Sequence, residues 1–276
     1  MTPTVKRVAA SQLPIDFDAD QQVLHFAEGI TCAGSSHKTV GQMRGLLRDE
    51  TDLDDDEPAY AAYRDIGYEA DRPAFTKQDT RYDITAIRTG TVNGEFKKTS
   101  GHFHGFIPGT VYPYPEVYEV LQGRAAFILQ KSVNAHTAEE LRIDEVRIAI
   151  VNEGESIAIP PSYGHGSVNI GEETLLFSNL AIVSCPLDYA SVKDRRGLAY
   201  YLVKADTADG FEAVPNPHYV NLPEAQIVRP SANPAVGITF GKSSYRSYVE
   251  NPATYDFLNH PEPYLAAIDS TTRPEV

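Results

Sequence analysis

Cysteine is scarce in this sequence, and the two that occur, Cys32 and Cys185, lie far apart with no CxxC spacing. That argues against a disulfide framework and against a thiolate zinc site. Positive charge is also in short supply: 24 Lys and Arg face 38 Asp and Glu, for a formal net charge of −14. Holding a nucleic-acid backbone takes a surplus of Lys and Arg, so no nucleic-acid partner is expected. A small anionic substrate stays open, because a few local donors suffice to bind a phosphate. No apolar run is long enough to span a bilayer, and Met1–Lys6 contain nothing like the apolar core of a secretory leader. The expectation is a soluble, cytoplasmic protein with no membrane partner.

What the sequence does contain is enough apolar material for a sizeable core, 42% hydrophobic and 10% aromatic over 276 residues. β-Barrels reach that length as one domain. Residues 1–80 are mixed and polar, with one helix expected near Thr39–Arg48 on Met43, Leu46 and Leu47, and then an acidic run, Asp49–Glu57, expected as a solvated loop. From Tyr82 to about Ala205, short segments rich in Val, Ile, Phe and Tyr recur between turns at Gly94, Gly123, Gly154 and Gly171. This is the pattern of a sandwich or barrel of antiparallel strands. Beyond about 205 the chain is rich in Pro, Asn and Tyr, with a short strand expected at Val236–Phe240. Its many aromatics would be costly to expose, so it is expected to wrap the barrel or a partner subunit.

The chemistry concentrates in two blocks. The first is Thr99-Ser100-Gly101-His102-Phe103-His104, followed after eleven residues by Glu116. On a strand, positions i and i+2 share a face, so His102 and His104 point together. Two neutral imidazoles so placed suit a borderline-soft divalent ion such as Fe²⁺, Mn²⁺, Ni²⁺ or Zn²⁺. Glu116, on the next strand, offers a third ligand. The second block, Gly154 to Asn169, carries His165 after a Pro/Gly turn, where it offers a fourth. Taken singly, each residue has an ordinary explanation: a surface strand, a solvated edge carboxylate, a turn histidine. The recurrence of two blocks, each with its own glycine spacing, is what sets them apart.

The two blocks resemble the two motifs of the cupin superfamily. Gly101, His102, His104, Glu116 and Gly123 match the first, and Gly154, Pro160, His165 and Asn169 the second. The separation of His104 from Glu116 is longer than the three or four residues usual in cupins, and Gly109 and three prolines in the linker suggest an excursion. More narrowly, the sequence resembles the archaeal-type, cupin-fold glucose-6-phosphate isomerases and their longer bacterial relatives. The resemblance rests on Tyr82–Thr85, Lys98–His104, Tyr114–Leu121, Phe127–Gln130 and Ile159–His165, within roughly residues 80–205.

That resemblance implies a mainly β fold, a double-stranded β-helix or jelly-roll barrel over 81–205. An N-terminal α/β extension (1–80) would pack on the barrel and a C-terminal extension (206–276) would follow it. It implies an aldose–ketose isomerase acting on glucose 6-phosphate and fructose 6-phosphate, with one divalent metal ion per subunit, Fe²⁺ foremost, and a homodimer. His102, His104, Glu116 and His165 would hold the metal. Thr85, Thr99 and Gly101 would hold the phosphate, with Lys98 or Arg88 adding charge. Glu116 would move the proton between C1 and C2, with Tyr118 or Tyr163 relaying or positioning hydroxyls; a metal-assisted hydride shift is the alternative. Shorter archaeal members carry a Tyr and a His just after the last barrel strand. Here Leu180–Tyr189 holds no His, and Tyr189 stands as the replacement for the Tyr. An enzyme acting on another sugar phosphate such as mannose 6-phosphate, a metal-dependent dioxygenase and a non-catalytic sugar-binding cupin are the rival readings.

Overall fold

The computed structural model of the protein describes residues 5–135 and 141–273; Met1–Thr4, most of the N-terminal segment considered above, lie outside them. Ten strands build the body of the molecule. They are β1 (Gly34–Thr39), β2 (Pro58–Arg64), β3 (Thr80–Ile87), β4 (Glu116–Gln122), β5 (Arg124–Lys131), β6 (Glu145–Asn152), β7 (Ser156–Ile159), β8 (Tyr163–Asn169), β9 (Leu175–Ile182) and β10 (Ala225–Val228). Six form one sheet in the order β7-β4-β9-β3-β2-β1, and four form the other in the order β8-β5-β6-β10. From β4 to β9 the chain crosses between the sheets at four turns, which is the jelly-roll winding of a cupin. Ladders within the sheets are antiparallel except β6 with β10, which is parallel.

Side-chain alternation sorts the apolar residues into three bodies. Tyr118, Val120, Phe127, Leu129, Ile157, Leu175 and Phe177 fill the space between the sheets. The other faces of the same strands bury outward: Val117, Leu121, Leu176 and Leu180 on one side, and Ala126, Ile128, Ile148 and Val168 on the other. Strands buried on both faces cannot show a clean two-residue alternation. That is why β9, buried throughout, shows no two-residue alternation, with apolar residues on both faces and only Ser178 and Asn179 between them.

Both extensions belong to this architecture. Residues before 80 supply β1 and β2 to the six-stranded sheet, and β10 comes from beyond 205. The C-terminal segment packs Tyr245, Tyr248, Tyr255, Phe257, Leu258 and Ile268, all fully buried, against the outer face of the six-stranded sheet. Truncating a buried Phe such as Phe257 to Ala is expected to cost about 3–5 kcal/mol.

Two local expectations are corrected. Thr39–Arg48 is not a helix: only Gly41–Met43 form a 3-10 turn, and Gly45 at φ +82° reverses the chain. Met43, Leu46 and Leu47 are buried all the same, so helical spacing there reflects burial from a coil. Val236–Phe240 is not a strand. A 3-10 turn at Pro234–Val236, capped by the Asn233 side chain, runs into Gly237, and a single bridge joins Asn233 to Ile238.

Candidate metal centre and substrate pocket

Backbone register assembles the site. His102 bridges His165 antiparallel, with His102 N–H donating to His165 O at 3.1 Å and the reverse bond at 2.9 Å. Phe103–His104 pairs with Leu187–Asp188. Gly164 lets the strands approach, because a Cβ there would stand 2.5 Å from the Phe103 ring. Gly101 turns into His102 at φ +75°, a conformation that L side chains rarely adopt.

The eleven-residue link between His104 and Glu116 is a small closed excursion. Ile107 N–H donates to Tyr112 O at 3.0 Å and Tyr114 N–H to Gly105 O at 3.2 Å. It returns the chain with Tyr114 O 2.8 Å from His104 Nδ1. A carbonyl only accepts, so His104 carries its proton on Nδ1 and turns the Nε2 lone pair inward. The Tyr163 carbonyl, 3.0 Å from His165 Nδ1, fixes that ring in the same way.

His102, His104, Glu116 and His165 converge, one ligand atom from each lying within 4.8 Å of all the others. His165 Nε2 is 3.1 Å from Glu116 Oε2, His104 Nε2 is 3.5 Å from the same oxygen, and His102 Nε2 is 3.2 Å from His104 Nε2. Asn179 Nδ2 donates to the other carboxylate oxygen at 2.8 Å, steering Oε2 into the cluster. Bonds of about 2.0–2.2 Å from one ion to nitrogen and oxygen donors put neighbouring donors about 3 Å apart. The donor set therefore fits a divalent cation.

The electrostatics agree. Burial, then the charges of His165 and His104, holds His102 well below the ordinary imidazole range, so it is neutral near pH 7. Burial alone would push Glu116 up, but a proton on His165 Nε2 hydrogen-bonded to the carboxylate, with the positive charge of His104 and His165 when protonated, outweighs it and the net shift is downward; a metal ion takes the place of those protons. A neutral imidazole beside an ionised carboxylate is the protonation state metal ligation requires. Burial and the neighbouring Glu116 raise Tyr118 well above the usual phenol value, which keeps it a neutral donor.

The pocket around the cluster is lined by Thr85, Thr99, Gly101 and Tyr118, as well as by residues that the sequence did not single out for a role: Tyr60, Arg64, Arg81, Ser100, Ser167 and Asn179. Tyr60 and Ser100 hydroxyls are 3.3 Å apart, and the buried Ser167 hydroxyl has no hydrogen-bond partner. Tyr189 also lines it, its ring centroid 5.2 Å from that of His102.

Three proposed residues are placed elsewhere. Lys98 is buried against Glu95 and lies over the Tyr201 ring, because it alternates to the face opposite Thr99. Tyr163 donates its hydroxyl to Glu145 at 2.9 Å and borders an outer depression with Arg147. Arg88 is likewise not among the lining residues. Asn169 is structural: its amide donates to the Ile87 and Glu173 carbonyls and its oxygen accepts from Gly171 N–H, closing the turn before β9. Both cysteines are free, and burial pushes the Cys185 thiol, at the pocket wall, up to about 12. Among the described residues, no helix is long and apolar enough to cross a membrane.

The glucose-6-phosphate isomerase (GPI) family model matches residues 37–216. A glucose-6-phosphate isomerase of Sinorhizobium medicae is 26% identical over 190 residues, covering 66% of this chain and 81% of the relative. One from Thermococcus litoralis is 27% identical over 117 residues, 42% of this chain and 54% of the relative, so the chain spans about half of that protein's length. Among solved structures, an oxalate oxidase aligns at a TM-score of 0.32 and 14% identity, over 48% of this chain and 55% of the other. The family match takes in β2 through β9, the whole His–Glu cluster and the hydroxyl-lined pocket beside it, and on that match the chain belongs to the glucose-6-phosphate isomerase family.

Proposed function

We propose that the protein interconverts glucose 6-phosphate and fructose 6-phosphate with one divalent ion, Fe²⁺ foremost, held by His102, His104, Glu116 and His165. The observation that carries the reading is that three residues of that cluster, His102, His104 and Glu116, line one pocket together with a bank of hydroxyls from Tyr60, Thr85, Thr99, Ser100 and Ser167. Hydroxyl and backbone N–H groups bind phosphate without a lysine, which suits a pocket whose neighbouring Lys98 is spent on Glu95. Thr85, Thr99 and Gly101, with the added hydroxyls, hold the phosphate end of the substrate. The other end then meets the cluster.

When bound, the ion supplies Lewis-acid polarisation of the open-chain carbonyl. Glu116, ionised and oriented by Asn179, is the base placed to carry the proton between C1 and C2. Tyr118, a neutral phenol beside it, donates to a substrate oxygen. Tyr189 covers the cluster from the solvent side. The homodimer and the cytoplasmic location expected from the sequence stand as part of this proposal.

The test is a coupled assay of the ferrous-loaded protein on fructose 6-phosphate, with mannose 6-phosphate and oxygen uptake run in parallel. Formation of glucose 6-phosphate without oxygen consumption is expected. Silence on fructose 6-phosphate, with turnover of mannose 6-phosphate or uptake of oxygen, would replace the reading.

A further inference from the structure

The pocket serves a dianionic substrate on a chain with a net charge of −14, so its few cations carry weight. Arg64 and Arg81 are the two described lining residues with permanent positive charge. Neither is held there by chance of exposure. Arg64 lies opposite Asp83 across the β2–β3 ladder, whose register pairs Tyr63 with Ile84. Arg64 Nη1 donates to Asp83 Oδ2 at 2.7 Å, and Arg81 Nε stands 3.0 Å from the same oxygen. Asp83 is fully buried, and its other oxygen accepts Asp65 N–H at 2.8 Å.

One buried carboxylate thus holds Arg64 by a hydrogen bond and lies in ionic contact with Arg81, whose buried Nε makes no hydrogen bond, and it neutralises only one of the two charges. The trio keeps a net positive charge, and both arginines line the pocket. Its place along the barrel is equally definite. Asp83 pairs with Asn179, and Asn179 pairs with Tyr118 and orients Glu116. The row Arg64–Asp83–Asn179–Tyr118 therefore crosses the sheet at the level of the metal cluster. The Ala62–Thr85–Phe177 row, which carries the phosphate hydroxyl of Thr85, is the next one along. Arg64 is close enough for its charge to act on His102, Tyr118 and Tyr189.

We propose that Arg64, fixed by Asp83 and supported by Arg81, contacts the carbonyl-bearing end of the sugar phosphate and stabilises negative charge developing on its oxygens opposite the His–Glu cluster. This rests on the isomerase reading. It also gives the chain a charged group at the end of the pocket where Leu180–Tyr189 offers no histidine.

The experiment uses the intact metal-loaded protein and two probes. 6-Phosphogluconate carries a carboxylate where the aldose carries C1, whereas inorganic phosphate reports the hydroxyl subsite alone. For Arg64→Gln, the Kd for 6-phosphogluconate by calorimetry is expected to rise about tenfold or more, as for loss of a charge-assisted contact, and that for phosphate less than about twofold. With fructose 6-phosphate, kcat should fall about 10- to 100-fold and KM change less than about threefold, since the contact strengthens in the transition state. Guanidinium ion should restore part of the rate, and Arg64→Lys should be intermediate. Because Arg64→Gln leaves Asp83 less neutralised, Arg64→Gln/Asp83→Asn is measured beside it, with the melting midpoint of each.

Unchanged 6-phosphogluconate affinity and kcat in folded variants overturn the proposal, as does an equal loss of phosphate affinity, which would make Arg64 a phosphate ligand. Failure of 6-phosphogluconate to bind the wild-type protein overturns it too. If the wild-type protein is inactive on fructose 6-phosphate but the selective loss of 6-phosphogluconate binding persists, the isomerase reading fails and the assignment of the cation stands.

Discussion

Glu116 and Glu119 sit three residues apart on β4, and both are buried, 4% and 2% exposed. Glu116 faces the barrel interior, where His165 and His104 bring its pKa down against burial. Glu119 faces out, beneath the C-terminal extension, where it accepts bonds from the Ser244 N–H and hydroxyl and from Ser178. There burial outweighs those hydroxyl and amide donors and pushes it up to about 7. Burial is common to both, so burial does not mark the chemical site. The partners do: imidazoles set by backbone carbonyls on one face, neutral donors on the other. One strand thereby carries a ligand inward and a titratable clamp for the extension outward.

The comparison breaks most visibly on the inner face. His102→Ala/His104→Ala is expected to abolish metal retention and lower kcat/KM by about 10³-fold or more, as when a metal centre's charge stabilisation is removed. Circular dichroism should stay native, because the strand bridge is made by backbone. Metal analysis of the dialysed protein checks this. Glu116→Gln comes next, with kcat down about 10²- to 10³-fold for loss of a positioned base that also serves as a ligand.

On the outer face the expected effect is on stability, and its sign is fixed. Glu119 titrates at about 7 in the folded chain against an ordinary 4.5. Its favourable contribution is complete below the ordinary value and is lost as pH rises through the folded one. Between pH 4.5 and 7.5 that amounts to roughly 3 kcal/mol. Denaturant unfolding at pH 5 and pH 8 should show Glu119→Gln with a flatter profile than wild type; an unchanged slope would remove Glu119 as the cause.

Thr99→Val is a smaller perturbation of the pocket wall. KM for the sugar phosphate should rise about 5- to 20-fold, on the order of 1–2 kcal/mol for one hydrogen bond, with kcat little changed. Smallest of all is Tyr163→Phe. Its hydroxyl serves Glu145 at one end of the barrel and does not line the pocket, so activity should stay within about twofold while stability falls by about 1 kcal/mol.

The strands from Tyr82 onward were legible because β-branched and aromatic segments alternate with glycine turns, and the His-Phe-His spacing carried its own geometry. The groups that orient the ligands were not legible. Asn179 reaches Glu116 through the β4–β9 ladder, and Tyr114 meets His104 only because the insertion closes on Gly105. Nothing in the sequence marks Arg64 or Arg81: register sets Arg64 opposite the buried Asp83, and Arg81 shares a strand face with it two residues away. The segment Thr39–Arg48 misled for the opposite reason: three apolar residues at helical spacing are buried by turns around Gly45.

The central claim is that isomerisation runs through the His–Glu cluster. The most direct test strips the protein with a chelator and reloads it with Fe²⁺ in steps, measuring bound metal and glucose 6-phosphate formation on the same samples. The account expects activity to rise in proportion to metal and to level off at about one ion per chain, the capacity of a single four-ligand cluster, with His104→Ala showing neither. Full activity in the stripped protein, or in His104→Ala without bound metal, would contradict it.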